Sequence, residues 1–170
     1  MENEKELKNK IPIMRAKITN STGGEDFDFE CVAAPFENGQ VNYSWDNDEY
    51  YIQVIDPSRN ATRTARMDSG LPLFDNHPRD KNTKELLGIS RGYEFSDEGI
   101  RLKVKLGARA DEALRSDIKT GIVKTVSVEG DIYSYEIIRE NGKLPVYRVT
   151  DWEPTSVSLA PVPQDIESQI

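Results

Sequence analysis

Apolar and charged residues change places at every step over Ile100-Arg101-Leu102-Lys103-Val104-Lys105-Leu106. Period two puts the four aliphatic side chains on one face and the three cations on the other, which predicts a half-buried strand. Gly107 ends it. Ala110, Ala113, Leu114 and Ile118 then recur at helical spacing, predicting a helix over about 108–120 that Gly121 closes. Asp111 and Glu112 at its start and Lys119 near its end complement the helix dipole.

The rest of the chain reads as β. Residues 11–19 and 27–34 form strands on either side of the turn-rich Asn20-Ser21-Thr22-Gly23-Gly24, and 50–55 forms another that Asp56-Pro57-Ser58 closes. A short apolar run, Leu71-Pro72-Leu73-Phe74, stops at Asp75-Asn76-His77. Further strands follow at 122–138, at 146–152 after a turn at Asn141-Gly142, and at 157–162. Pro154, Pro161 and Pro163 flank or interrupt the last of these, which predicts an edge position or a departure from the sheet. Trp45 and Trp152, at strand ends, read as core or rim packing. The expected fold class is β-rich α+β, a compact β-barrel flanked by one main helix and short helical decoration. The expected organisation is a polar arm at 1–10, a single domain at 11–162 and a tail at 163–170.

Composition narrows the function classes. A chain of 170 residues fits one domain with a proper core. A formal net charge of -8 is the opposite of a nucleic-acid footprint, which clusters Lys and Arg. No apolar run reaches the length of a membrane span, and the charged opening Met1-Glu2-Asn3-Glu4-Lys5-Glu6 is not a secretory signal. Cys31 is alone, so neither a disulfide framework nor a thiolate cluster is expected; beside Val32, Ala33 and Ala34 it reads as a buried thiol in a cytosolic protein. Asp46, Asp48 and Glu49 suggest a cation loop, but Tyr51 stands where a calcium loop requires Gly, so they read as a solvated acidic turn. No cofactor or metal is implied. His77 with Asp75 and Asp80 would make an incomplete zinc site.

Catalytic chemistry centres on two residues. His77 is the sole histidine and therefore the sole side chain whose ordinary pKa suits a general base near neutrality. Ser127 lies in Thr125-Val126-Ser127-Val128, and if the valines fill the core, period two presents the serine to a groove on the other face. Each also has an ordinary structural reading, as a loop imidazole bound to backbone groups and as a serine on the polar face of a strand.

Three ordered blocks give these residues a context. Leu71 to His77, followed by Leu87-Gly88-Ile89, resembles the histidine block of the tailed-bacteriophage prohead maturation proteases. Ala108-Arg109-Ala110-Asp111-Glu112, Ile118-Lys119-Thr120-Gly121-Ile122 and Val126-Ser127-Val128 are similar to that family's helix and nucleophile strand. Val146 to Pro154, followed by Val157-Ser158-Leu159-Ala160-Pro161-Val162-Pro163, resembles its closing block. The resemblance spans residues 55 to 165 and implies a serine endopeptidase of the herpesvirus-assemblin fold. Ser127 would be its nucleophile and His77 its base. The implied partners are phage scaffold and major capsid protein, with self-association or self-cleavage, and no nucleic acid or membrane. The implied location is the host cytoplasm, inside the prohead. The chain departs from the family at the third member of the triad. The closing block places a glutamate before the apolar-Ser-apolar triplet, and here that position is Ser156. The nucleophile strand departs too, with Glu129-Gly130-Asp131 where a Gly-aromatic pair is usual. Three readings stand: Ser156 orients the imidazole by a neutral hydrogen bond, a carboxylate such as Glu153 or Asp151 substitutes, or the chain is a catalytically impaired assembly factor that binds capsid or scaffold protein.

Overall fold

The computed structural model describes residues 13–36, 39–76, 78 and 80–160. Among these residues nine strands follow one another: β1 (Ile13–Asn20), β2 (Phe29–Pro35), β3 (Gln40–Ser44), β4 (Glu49–Ile55), β5 (Pro72–Asp75), β6 (Leu86–Ser96), β7 (Gly99–Leu106), β8 (Thr125–Ile138) and β9 (Val146–Leu159). Two short helices interrupt them, α1 (Ala65–Ser69) and α2 (Glu112–Lys119), with a single 3-10 turn at Arg59–Ala61. The expected arm at 1–10 and tail at 163–170 lie outside the described residues.

The strands form one mixed sheet in the order β3-β4-β9-β5-β6-β7-β2-β1-β8, and β8 turns back to pair with β9 as well. β9 is the junction. Its first residues run parallel to β4 (Ile52 opposite Val146), its last run parallel to β5 (Leu73 opposite Val157), and its other edge is antiparallel to β8 from Val126 to Ile138. In the fork between β4 and β5, Thr62 bridges to Trp152, and the Arg63 amide donates to the Trp152 carbonyl at 2.8 Å. β3 pairs with β4 and has no second neighbour among the described residues, so the sheet keeps a free edge there.

This architecture corrects the expected one. The assemblin-type barrel flanked by helices gives way to a single mixed nine-stranded sheet with little helix. The expected helix is real but shorter, at Glu112–Lys119. Asp111 caps it by accepting from the Leu114 amide at 2.8 Å, and Ile118 is its one fully buried side chain. An alternating strand reads the same in a barrel and in a forked sheet, so periodicity could not separate them. The expected strands at 146–152 and 157–162 prove to be one strand that runs through Pro154. That proline lacks an amide donor, and it sits opposite Gly130 at a register shift, where the ladder is already interrupted. β3 escaped detection because Gln40-Val41-Asn42-Tyr43-Ser44 is short and polar.

Inside the sheet lies an apolar core. Ile100, Leu102, Val104 and Leu106 of β7 all bury their side chains, as their alternation requires. Val126, Val128, Val149, Val157, Leu159 and Trp152 meet them from β8 and β9. Trp152 is wholly buried, and its indole N–H donates to the Thr62 hydroxyl at 2.9 Å, so the ring stays satisfied out of water. A Cβ on Gly130 would come within 2.6 Å of the Glu153 carbonyl and 2.8 Å of the Trp152 ring, so the close approach of β8 to that ring needs glycine. Trp45 corrects another expectation. At the tip of the β3–β4 hairpin it is 78% exposed, its ring edge-on to Tyr43.

Burial also acts on protons. The Cys31 thiol, enclosed in the core, is pushed from 9.0 up to about 12, with Glu30 adding to the effect of burial. Burial first, then the neighbouring phenols Tyr147 and Tyr135, raises Tyr51 to about 12 as well. Both groups are held protonated by folding, so the stability they confer is complete below their unfolded values and is lost as pH rises toward about 12. Denaturant midpoints measured from pH 8 to 11 are expected to fall with pH, less steeply in Cys31→Ala. Trp152→Ala is expected to cost about 3–5 kcal/mol in the same unfolding measurement.

Candidate functional site

Ser127 is the third residue of β8, between two valines that lie wholly in the core, so its hydroxyl turns to the opposite face. The face is the expected one, but it is not an open groove: Ser127 is 6% exposed, and Glu129, Ser156 and Ser158 are buried with it. Pairing aligns these side chains in rows. Ser127 stands opposite Ser158, which in turn stands beside Phe74 of β5, and Glu129 stands opposite Ser156. Residues directly opposite in neighbouring strands share a face, with Cβ atoms about 4.5–5.5 Å apart. The Ser158 hydroxyl has no hydrogen-bond partner among the described residues. A buried polar group in that state costs about 1–3 kcal/mol, which singles out this row as a place where stability has been set aside.

Two described residues beyond β5, Asn76 and Lys81, make contact with β8 and β9 here. Asn76 takes φ +54°, a left-handed conformation that Asn tolerates, and its amide donates to the Leu159 carbonyl at 2.8 Å. Further on, the Lys81 ammonium donates to the Ser156 hydroxyl at 3.0 Å and forms an ion pair with Glu129, while the Ser156 hydroxyl donates to the same carboxylate oxygen at 3.4 Å. A carboxylate as enclosed as Glu129 needs such company, because an unpaired buried charge would cost several kcal/mol. Lys81 is a partly exposed cation whose ammonium reaches these buried groups.

His77 lies outside the described residues. Its neighbour Asn76 is anchored to Leu159, next to Ser158 and one strand away from Ser127. The other residues singled out from the sequence fall in different places. Ser156 joins the polar row. Glu153 sits five residues before Ser158 on β9, ion-paired with Arg66 at 3.3 Å and accepting from the Tyr133 hydroxyl at 3.3 Å. Asp151 is held by both arms of the Arg63 guanidinium at 2.7 and 2.6 Å. Asp75 and Asp80 are exposed. Glu129 is a member of this buried row that was not among the candidates. Its signal was present in the sequence, since a residue two positions after Ser127 on a strand must share its face.

No protein-family model matches the chain, and no solved structure matches it. It is similar to the major capsid protein of Halomonas phage phiHAP-1, with 27% identity over 115 residues. That alignment takes in 67% of this chain but spans 19% of the length of the capsid protein. The chain is therefore a distant relative of one segment of a phage capsid protein.

Proposed function

We propose that this chain is a phage capsid maturation serine endopeptidase that cuts scaffold or the capsid protein's scaffolding segment, and itself where its own chain is presented. The observation that carries the reading is the buried polar row of Ser127, Ser158, Ser156 and Glu129 on the non-core face of the sheet, with Asn76, the residue before His77 in sequence, hydrogen-bonded to Leu159 next to Ser158. Ser127 is the nucleophile and His77 the base that takes its proton as the hydroxyl attacks the scissile carbonyl. An acyl-enzyme forms, the imidazolium protonates the departing amine, and water releases the product. Likeness to a segment of a capsid protein about five times as long as the alignment supports this setting. The site of action would be the prohead in the host cytoplasm.

A second reading draws on the enclosure of Ser127 and on the hydroxyl at Ser156: a non-catalytic homologue that binds capsid or scaffold protein during assembly. Strand addition along β3, which has an unpaired edge among the described residues, suits that role and also suits a protease holding its substrate extended.

The two separate in one experiment. The chain is co-expressed with the major capsid and scaffold proteins of its phage, and the products are read by intact mass. Discrete fragments are expected, vanishing in Ser127→Ala and in His77→Ala while both variants keep the thermal transition of the parent. Uncut masses in every case, with procapsids still forming, would establish the assembly factor instead.

A further inference from the structure

We propose that β3 is a dimerisation edge: two copies of this chain pair β3 against β3, antiparallel about a two-fold axis at Asn42, and each lays Trp45 across Gly39 of the other. The proposal uses no residue of the Ser127 row and stands whichever reading of that row holds.

The edge is the first observation. β3 pairs with β4 in unbroken register from Gln40 opposite Gln53 to Ser44 opposite Glu49, and has no second neighbour among the described residues. The Ile52 amide donates to the Pro145 carbonyl at 2.9 Å, so the backbone of Ile52 faces β9. Its register partner Val41 therefore turns its own amide and carbonyl away from β4, and Tyr43 does the same two residues on. Native edges are commonly guarded by lysine, proline or a bulge. Gln40-Val41-Asn42-Tyr43-Ser44 has none of these and no charge, in a chain of which 31% of residues are charged.

The second observation is that this edge is complementary to itself. In a two-fold pairing centred on Asn42, Val41 of one copy stands opposite Tyr43 of the other. Both residues face outward, so the two such pairs form four backbone hydrogen bonds, and no charge meets a charge. The same register places Trp45 opposite Gly39. Trp45 is 78% exposed and Tyr50 58%, with the Tyr43 ring edge-on to both at 4.9 and 5.0 Å between centroids. Gly39 is the matching gap. A Cβ there would come within 2.2 Å of the Ile52 Cγ2 methyl and 3.0 Å of the Val54 Cγ1 methyl, so an indole laid across the glycine meets those methyls with no side chain between. A slip of two residues either way would move Trp45 onto Val41 or past Gly39. A foreign strand could supply the backbone bonds, but a tryptophan at one end of the edge and a glycine at the other fit twice over only against a second copy.

Two indoles and two five-residue edges bury less than the roughly 1,200 Å² at which standard interfaces begin, which makes this a weak dimer. Each copy carries a net charge of -8, with Asp46 and Asp48 at the hairpin tip, so added salt strengthens the association by screening.

The test measures the full chain by sedimentation equilibrium from about 1 to 500 µM, at low and at high salt, with tryptophan emission recorded on the same samples. The mass is expected to rise from one chain to two within this range, at lower protein concentration when salt is high. Trp152 is already buried in the single chain, so a blue shift that follows the mass reports Trp45. Trp45→Ala is expected to raise the dissociation constant about 30-fold or more. Val41→Pro removes two of the four hydrogen bonds at a position where edge strands accept proline, and is expected to leave a single-chain mass. Both variants are expected to keep the parental thermal transition. Register is read by Asn42→Cys, whose thiols face each other at the axis and are expected to link under oxidised glutathione. Trp45→Cys, with its two thiols about 20 Å apart in this register, is the control, and Cys31 does not compete because it is buried. A single-chain mass at every concentration and salt overturns the proposal. So does a dimer that folded Trp45→Ala leaves at parental strength, or linking of Asn42→Cys no faster than that of Trp45→Cys.

Discussion

Everything in this fold is hung on the two-sided pairing of β9. A strand of 14 residues with β8 along one edge, and β4 and then β5 along the other, has its backbone donors and acceptors committed over most of its length. That commitment fixes the register, and the register decides which residues meet. Val157 and Leu159 face the core because Ser156 and Ser158 do not. A slip of one residue would exchange the two sets and put hydroxyls among the aliphatic side chains. The bulge at Gly130 and Pro154 acts on the same strand: it lets a proline stand in a central position and bends the pair around the Trp152 ring.

The two faces of β8 and β9 obey different economies. On the inside, valines, leucine and the Trp152 ring are held by close packing, and the one polar atom of the indole has its partner in Thr62. On the outside, four polar side chains are equally shielded from water, yet one hydroxyl goes unpartnered among the described residues and one carboxylate depends on a lysine reaching in from a loop. An apolar patch of the same size would be simpler to stabilise. Shielded polar groups are concentrated at this one spot, while the opposite face of the same strands is packed with aliphatic side chains and the Trp152 ring.

Much of the fold could be read from local pattern. The alternation of Ile100 to Leu106, the Asp111 cap and Gly121 terminator of the helix, and the inward valines around Ser127 all follow from rules that act over a few residues. What the pattern could not convey is which strand lies beside which. The forked pairing of β9, the continuity of that strand through Pro154, and the exposure of Trp45 depend on contacts between distant segments, and there alternation is mute. The site shows the same division. Ser127 and the face it occupies were legible. The carboxylates that local pattern points to, Glu153 and Asp151, lie on β9 and are paired with arginines, whereas the buried carboxylate beside Ser156 is Glu129 of β8. Register, which connects Glu129 to Ser156 across 27 positions, is not written in either segment alone.

The far-flung pairings also set a timetable. β1 pairs with β8 and β4 with β9, so the ladders close contacts between segments about a hundred residues apart, the kind of topology that folds slowly. The polar row draws on the chain at Phe74, Lys81, Ser127 and Ser158, and β9 is the last of these to leave a ribosome. Until β9 docks, Ser127 has β1 on one side and nothing on the other, and Glu129 has no partner strand across which to meet Ser156. A polypeptide built this way cannot complete its buried polar row until its last strand is in place. The buried row of Ser127, Glu129, Ser156 and Ser158 is put together as a late event of folding.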